Sequence, residues 1–193
     1  MVLNIIKYDM EILETLRKTC KERNIPIISL ATEKFLWKIL RKHKPKICME
    51  VWGAVGYSSI YMGELIHTRG GKITSFEVSY PAYQEGLQNI KESHCYNIIS
   101  YPYDVRQAPI KKLVQAPVDF VFIDGQKSQY GEYMEIIEKI TSPHTVIVID
   151  DVIKYHNKLI SLYWYLEKKQ MNYKILQLEP DDGVMFIEKI YIK

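Results

Sequence analysis

Carboxylates recur at one kind of place in this chain, at or just past the end of an apolar run. Glu50 sits near the end of Ile47-Cys48-Met49-Glu50-Val51, and Glu77 follows Ile73 to Phe76. Asp104 follows the run at 97–101, Asp124 closes Val118 to Ile123, and Asp150-Asp151 closes Val146 to Ile149. If the runs are strands of a parallel sheet, ligands bind outside their carboxyl ends, and these acids share one edge. Any one of them alone is more often a helix cap or a solvated surface group; the whole set at one edge is harder to dismiss. Adjacent parallel strands lie about 4.8 Å apart, so Asp124, Asp150 and Asp151 could converge. Like charges at that range repel unless protonated or bridged by a cation. An all-oxygen set favours Mg²⁺, Mn²⁺ or Ca²⁺ over zinc. Against this stands, with equal weight, a capping role for Asp124 or Asp151. Lys127 follows Asp124 in the same loop. By itself it reads as a solvated charge, but beside a metal and a desolvated substrate its pKa could fall enough for general-base work.

The second feature is a turn. The stretch from Ile47 to Tyr61 reads as a strand, a glycine turn with Gly53 and Gly56, and a helix with hydroxyls, Ser58 among them, in its first turn. That arrangement presents backbone N–H groups and a helix N-terminus to a ligand. Glu77 falls where a ribose-binding carboxylate belongs, roughly 20 residues on. Trp52 occupies the first position of the turn, where glycine is expected.

The elements that position these residues follow from periodicity. Residues 4–23 read as one amphipathic helix, or two with a break near Tyr8-Asp9, ended by Asn24-Ile25-Pro26. A helix at 32–42 follows an extended segment. From Lys46 the pattern alternates, with strands expected at 46–51, 72–77, 97–101, 118–123, 145–149, 173–178 and 184–190. Helices fit at 57–68, 80–93, 106–115, 129–140 and 156–170. Unbroken apolar strands suit a parallel sheet covered on both faces. The last two strands, joined by Glu179-Pro180-Asp181-Asp182-Gly183, read as an antiparallel hairpin. The expected fold is α/β and Rossmann-like: a doubly wound, seven-stranded sheet, mostly parallel with one antiparallel strand, behind a helical N-terminal arm (1–45). The 193 residues are read as one domain, with 46–193 as its core.

Composition excludes little. A net charge of +3 neither requires nor forbids a nucleic-acid partner. Three scattered cysteines point to a reducing compartment without structural zinc. No run approaches a membrane span and no signal-peptide core is visible, so a cytoplasmic protein without membrane partners is expected. The five histidines share no spacing with a serine or cysteine, which leaves a hydrolase triad unsupported. The turn lacks G-x-G-x-x-G, which disfavours a nicotinamide dehydrogenase.

Together these residues resemble the class I S-adenosylmethionine-dependent O-methyltransferases, in particular the small metal-dependent branch related to catechol and caffeoyl-CoA O-methyltransferases. The resemblance runs from about Ile25 to Lys189. Met49-Glu50-Val51 with Gly56-Tyr57-Ser58 resembles the first motif, Phe76-Glu77 the second, and Tyr103-Asp104-Val105 the adenine-reading segment. Val121 to Tyr130 is the most specific match, and Val148-Ile149-Asp150-Asp151-Val152 resembles Ala-Asp-Asn-Val, with Asp151 in place of asparagine. Asp182-Gly183-Val184 resembles the closing hairpin. The resemblance implies cofactor contacts from Glu50, Gly53, Gly56, Ser58, Glu77, Asp104 and Asp124. It implies metal ligation by Asp124, Asp150 and Asp151, usually of Mg²⁺, and a base at Lys127. The implied reaction is direct methyl transfer to a hydroxyl of a small phenolic or catechol-like acceptor. Ile25-Pro26-Ile27 is also similar to bacterial members that methylate 5-hydroxyuridine in tRNA. Related proteins are often dimers.

Trp52, Tyr103 and Val105 depart from that pattern with bulk near one ligand. A second hypothesis therefore keeps the fold without the reaction, as a binding or scaffold protein. An indole pointing into the cleft would weaken cofactor binding; one packed behind the turn, against Val51 and Ile60, would leave it open. Retention of Asp124, Lys127 and Asp150 favours the enzyme, with an open cleft and reduced affinity.

Overall fold

A computed structural model describes residues 2–188, with side chains from Glu11 onward. Residues 4–23 of the N-terminal arm, apart from Arg23 just past its end, lie in one helix, α1 (Val2–Glu22), without the alternative break at Tyr8-Asp9. Helix α2 (Leu30–His43) starts at Ser29, whose hydroxyl accepts from the Thr32 N–H, and ends where Lys44 turns left-handed before Pro45. The alternating part runs β1 (Ile47–Val51), α3 (Tyr57–Ile66), β2 (Lys72–Phe76), α4 (Tyr80–Glu92), β3 (Ile98–Tyr101), α5 (Ile110–Leu113), β4 (Val118–Ile123), α6 (Tyr130–Ile137), β5 (Thr141–Ile149), α7 (Ile160–Lys168), β6 (Lys174–Gln177) and β7 (Gly183–Glu188).

The strands form one sheet in the order β3-β2-β1-β4-β5-β7-β6. β1 to β5 are parallel, and β7 lies antiparallel between β5 and β6. The expected closing strand is thus in place, its residues 189–190 falling outside the described part. Several expected helices are shorter than periodicity suggested, two of them by five residues or more. The segment at 106–115 yields only the single turn of α5, because Pro109 has no N–H and Asp104 folds the preceding residues into a turn. Residues 156–170 begin as a 3₁₀ turn before α7.

Alternation along the strands builds a core on each face. Met49, Val51, Val121, Ile123, Ile147 and Ile149 pack under α6 and α7. Cys48, Phe120, Phe122, Val146 and Val148 pack under α2 and α3 with the end of α1. Both faces are apolar, as a sheet covered on both sides requires. Among the described residues no helix is long and apolar enough to cross a membrane.

One polar network fixes the arm to the sheet's edge. The Arg17 guanidinium donates to the Ile28 carbonyl at 3.0 Å, to the Tyr57 hydroxyl at 3.1 Å and to the Glu33 carboxylate. Tyr57, the first residue of α3, donates its own hydroxyl to Glu33 at 2.5 Å. Removing the guanidinium strands a half-buried carboxylate. Arg17→Met should cost about 2 kcal/mol, read by urea denaturation, and Glu33→Gln in the same chain should recover part of the loss.

Candidate active site

After Val51 the chain leaves the sheet, with the Trp52 and Gly53 N–H groups both donating to the Phe76 carbonyl at 2.8 and 3.0 Å. It turns through Ala54 (φ 46°) and Gly56 (φ 85°) into α3, which starts with no side-chain cap. The first N–H groups of α3 are thereby left for a ligand. The two glycines also meet protein beneath the turn. A Cβ on Gly53 would strike the Ser75 hydroxyl beneath the turn, and one on Gly56 would lie 3.3 Å from the Gly86 carbonyl. They let the turn settle onto β2 and α4.

Under the turn lies Glu50, fully buried. Its Oε2 accepts from the Ser75 hydroxyl at 2.6 Å and from Ser59, while Oε1 has no partner. Burial pushes its pKa up, against the serine hydroxyls that favour the anion. Glu50, expected to contact a cofactor, lies as a buried support of the turn, its position in β1 pointing it into the layer beneath α3.

Glu77 lies at the carboxyl edge beside the turn, as expected. Its carboxylate accepts from the Ala54 N–H at 2.8 Å and from the Ser79 N–H at 2.7 Å. Asp104 is clasped by Arg106, whose Nη2 donates at 2.6 Å and Nε at 3.0 Å. That contact holds the Asp104 carboxyl below its ordinary value. Arg106 also reaches Glu132 of α6 at 3.0 Å.

A cavity of about 560 Å³ opens between the Pro26–Ser29 segment, the turn, and the loops after β4, β5 and β6. Gly53, Ser58, Asp124, Lys127, Asp150 and Asp151 line it; Glu50, Glu77 and Asp104 do not. The structure thus brings the β4 and β5 residues to the helix start and leaves the β2 and β3 acids outside the cavity.

The aspartates do not converge on one point as expected. Among the described residues no three potential ligands form a group that could hold a metal ion. The Lys127 ammonium lies between two of them, 2.8 Å from Asp124 Oδ1 and 2.7 Å from Asp151 Oδ2. Asp150 turns away, its Oδ1 accepting from the Asp151 N–H at 3.0 Å and the Thr32 hydroxyl at 3.5 Å. Burial, with Asp124 and Asp151 nearby, raises the Asp150 pKa well above its ordinary value. For Lys127 the protein's own groups act in the upward direction. Burial would lower its pKa, but Asp124, Tyr130 and Asp151 outweigh that and hold it well above the lysine range. Neither Asp124 nor Asp151 caps a helix: α6 and α7 start at Gln129 and Leu159, without side-chain caps. The donor chemistry fits a hard cation, since two carboxylates already meet at one positive charge, the ammonium.

Trp52 meets each of its two expected positions in part, standing at the cavity while packing against the core that contains Val51. Its backbone is left-handed (φ 70°), a conformation that bulky residues rarely adopt. The indole lies across the neighbouring strand end and donates from Nε1 to the Tyr133 hydroxyl at 3.0 Å. A Cβ on Gly125 would come within 2.6 Å of the ring. Trp52 also lines the cavity. Sequence reasoning did not single out Tyr133. It also missed Tyr155, whose ring faces the ammonium groups of Lys127, Lys154 and Lys158 at 5.8, 5.6 and 5.2 Å. Both contacts depend on loop paths that leave no periodic signal.

An open α/β sheet with its cavity at the carboxyl edge, beside an uncapped helix start and an acid–lysine cluster, defines a ligand-binding doubly wound protein. The O-methyltransferase family profile matches residues 4–180, and the chain belongs to that family. It is 25% identical over 159 residues to a catechol O-methyltransferase of Niastella koreensis, covering 79% of this chain and 71% of that protein. It is 26% identical over 157 residues to a caffeoyl-CoA O-methyltransferase of Stellaria longipes, covering 78% of this chain and 65% of that one. The chain thus spans less than two thirds of that plant protein's length. A Bacillus cereus O-methyltransferase solved in complex with SAH superposes with a TM-score of 0.78 at 22% identity, over 93% of this chain and 91% of that one. The fold is shared.

The buried Glu50 carboxyl gives a pH test. Its folded pKa lies above its unfolded one, so the folded state binds the proton more tightly. Stability is then lost as pH rises above the ordinary glutamate range. Glu50→Gln cannot ionise and should lose less stability than the parent between about pH 4 and pH 8, followed by denaturant unfolding across that span.

Proposed function

We propose that this chain is an S-adenosylmethionine- and divalent-metal-dependent O-methyltransferase acting on a hydroxyl of a small phenolic or catechol-like acceptor. The observation that carries the reading is the shared cavity: the uncapped start of α3 and the Asp124, Lys127, Asp151 cluster face one space. Family membership supports it.

S-adenosylmethionine would supply an electrophilic methyl group. The free N–H groups around Ser58 suit its carboxylate. Asp124 and Asp151, with Asp150 behind them, would hold a divalent cation such as Mg²⁺, which lowers the pKa of an acceptor hydroxyl and orients it. The Pro26–Ser29 segment lines the cavity on the side of the N-terminal arm. Lys127, as held here, contributes a fixed positive charge. It becomes a base only when both carboxylates are engaged elsewhere. Much of the acceleration would then be positioning.

A tRNA hydroxyuridine is the second acceptor reading. Lys154 and Lys158, both exposed and without ion-pair partners among the described residues, flank the Tyr155 ring at the cavity. A planar acceptor bearing phosphate suits that arrangement. Labelled methyl transfer to a catechol panel and to unmodified tRNA, with and without chelator, decides between them. Transfer to neither would leave the binding or scaffold alternative.

Asp124→Asn should weaken Mn²⁺ binding, read by electron paramagnetic resonance, and slow methyl transfer in parallel; turnover that survives chelation would remove the metal role. Lys127→Met should slow methyl transfer by roughly 100-fold or more with little change in cofactor affinity. Equal losses of both would make Lys127 a structural residue.

A further inference from the structure

We propose that Trp52 is a latch that governs entry of the cofactor's nucleoside, an inference that rests on the cofactor reading above. The strand ends follow one another along the sheet edge as Asp104 after β3, Glu77 after β2, Trp52 after β1, Asp124 after β4 and Asp150 after β5. A ligand that reaches from Glu77 to Asp124 has to pass the end of β1, where the indole stands. The cavity takes in Trp52 and the β4 and β5 residues but stops short of Glu77 and Asp104.

The indole is held in that place by designed-looking complementarity on the neighbouring strand. It lies on Gly125, where any Cβ would collide with it, and its N–H donates to the Tyr133 hydroxyl, which in turn donates to Gln129 Oε1 at 2.6 Å. Helix α6 secures both sides of the closed half, Tyr133 holding Trp52 and Glu132 holding Arg106 on Asp104. The backbone at Trp52 is left-handed and is held by its own N–H bond to the Phe76 carbonyl, so the side-chain contacts alone set where the indole lies. Opening therefore needs the loss of one hydrogen bond and the lift of one ring off a glycine. The β1 turn itself stays tied to Phe76 and Glu77 through the N–H groups of Trp52, Gly53 and Ala54.

The test uses S-adenosylhomocysteine as probe on the full chain. Replacing Trp37 and Trp164 by Phe leaves Trp52 as the single tryptophan, and its emission should change as the probe binds. By calorimetry, Trp52→Gly should tighten binding at least tenfold. Tyr133→Phe keeps the ring but removes the hydroxyl, so it should tighten binding about threefold and serves if the glycine variant fails to fold. Affinities of both variants within twofold of the parent, with unchanged Trp52 emission, would overturn the latch and leave the cofactor reading standing. No binding by the parent or by either folded variant would overturn the cofactor reading, and the latch with it.

Discussion

Aspartates at neighbouring strand ends can share a sheet edge only if something answers their charge, and here Lys127 does so. Its ammonium touches Asp124 and Asp151 at hydrogen-bond distance, while Asp150, more deeply buried, is pushed toward its neutral form. The loops after β4 and β5 are drawn together by that ion pair, and the cavity takes its floor from them. A partly buried pair of this kind is held by geometry and desolvation as much as by attraction. Its position makes the lysine's charge state a property of the surrounding acids, so electrostatics of the whole edge decides what Lys127 can do.

A second constraint links the arm to the same edge. Arg17 on α1, Glu33 on α2 and Tyr57 at the start of α3 form one network, and the guanidinium also holds the Ile28 carbonyl. The segment that lines the cavity on the arm side is therefore tied to the helix whose N-terminus faces it. Below, Glu50 supports the turn through Ser59 and Ser75. Glu50 and Glu77, both buried, thus hold the same turn from different places, Glu50 from beneath through Ser59 and Ser75 and Glu77 from the edge through the Ala54 N–H. Glu50 lies within β1 and points to one face of the sheet, whereas Glu77 lies just past the end of β2.

The family gives a frame in which this chain's departures gain meaning. Asp151 stands where the resemblance expects an amide and supplies the second carboxylate that holds Lys127. Trp52 stands where a glycine is expected, and Gly125 on the next strand end gives its ring room. Read together, these residues alter the balance of charge and space along the edge while leaving the sheet intact.

The sheet and most of its helices were legible in the sequence, because apolar runs, their periodicity and the Glu179–Gly183 turn report local and face-wide burial directly. The placement of Glu77 at the carboxyl edge, and of Asp124 and Asp150 at adjacent strand ends, followed from the same pattern. The shortened α5 was readable in part from Pro109, whose missing N–H breaks a helix regardless of context. What the sequence left undetermined are contacts between distant residues: Trp52 with Tyr133, Lys127 with Asp151, and Glu50 with Ser75. Whether an indole fills a cleft or lies across a neighbouring strand, and whether a lysine's pKa falls or rises, depends on which groups packing brings within a few ångströms. Periodicity fixes which face a residue belongs to; only tertiary structure decides its neighbours there.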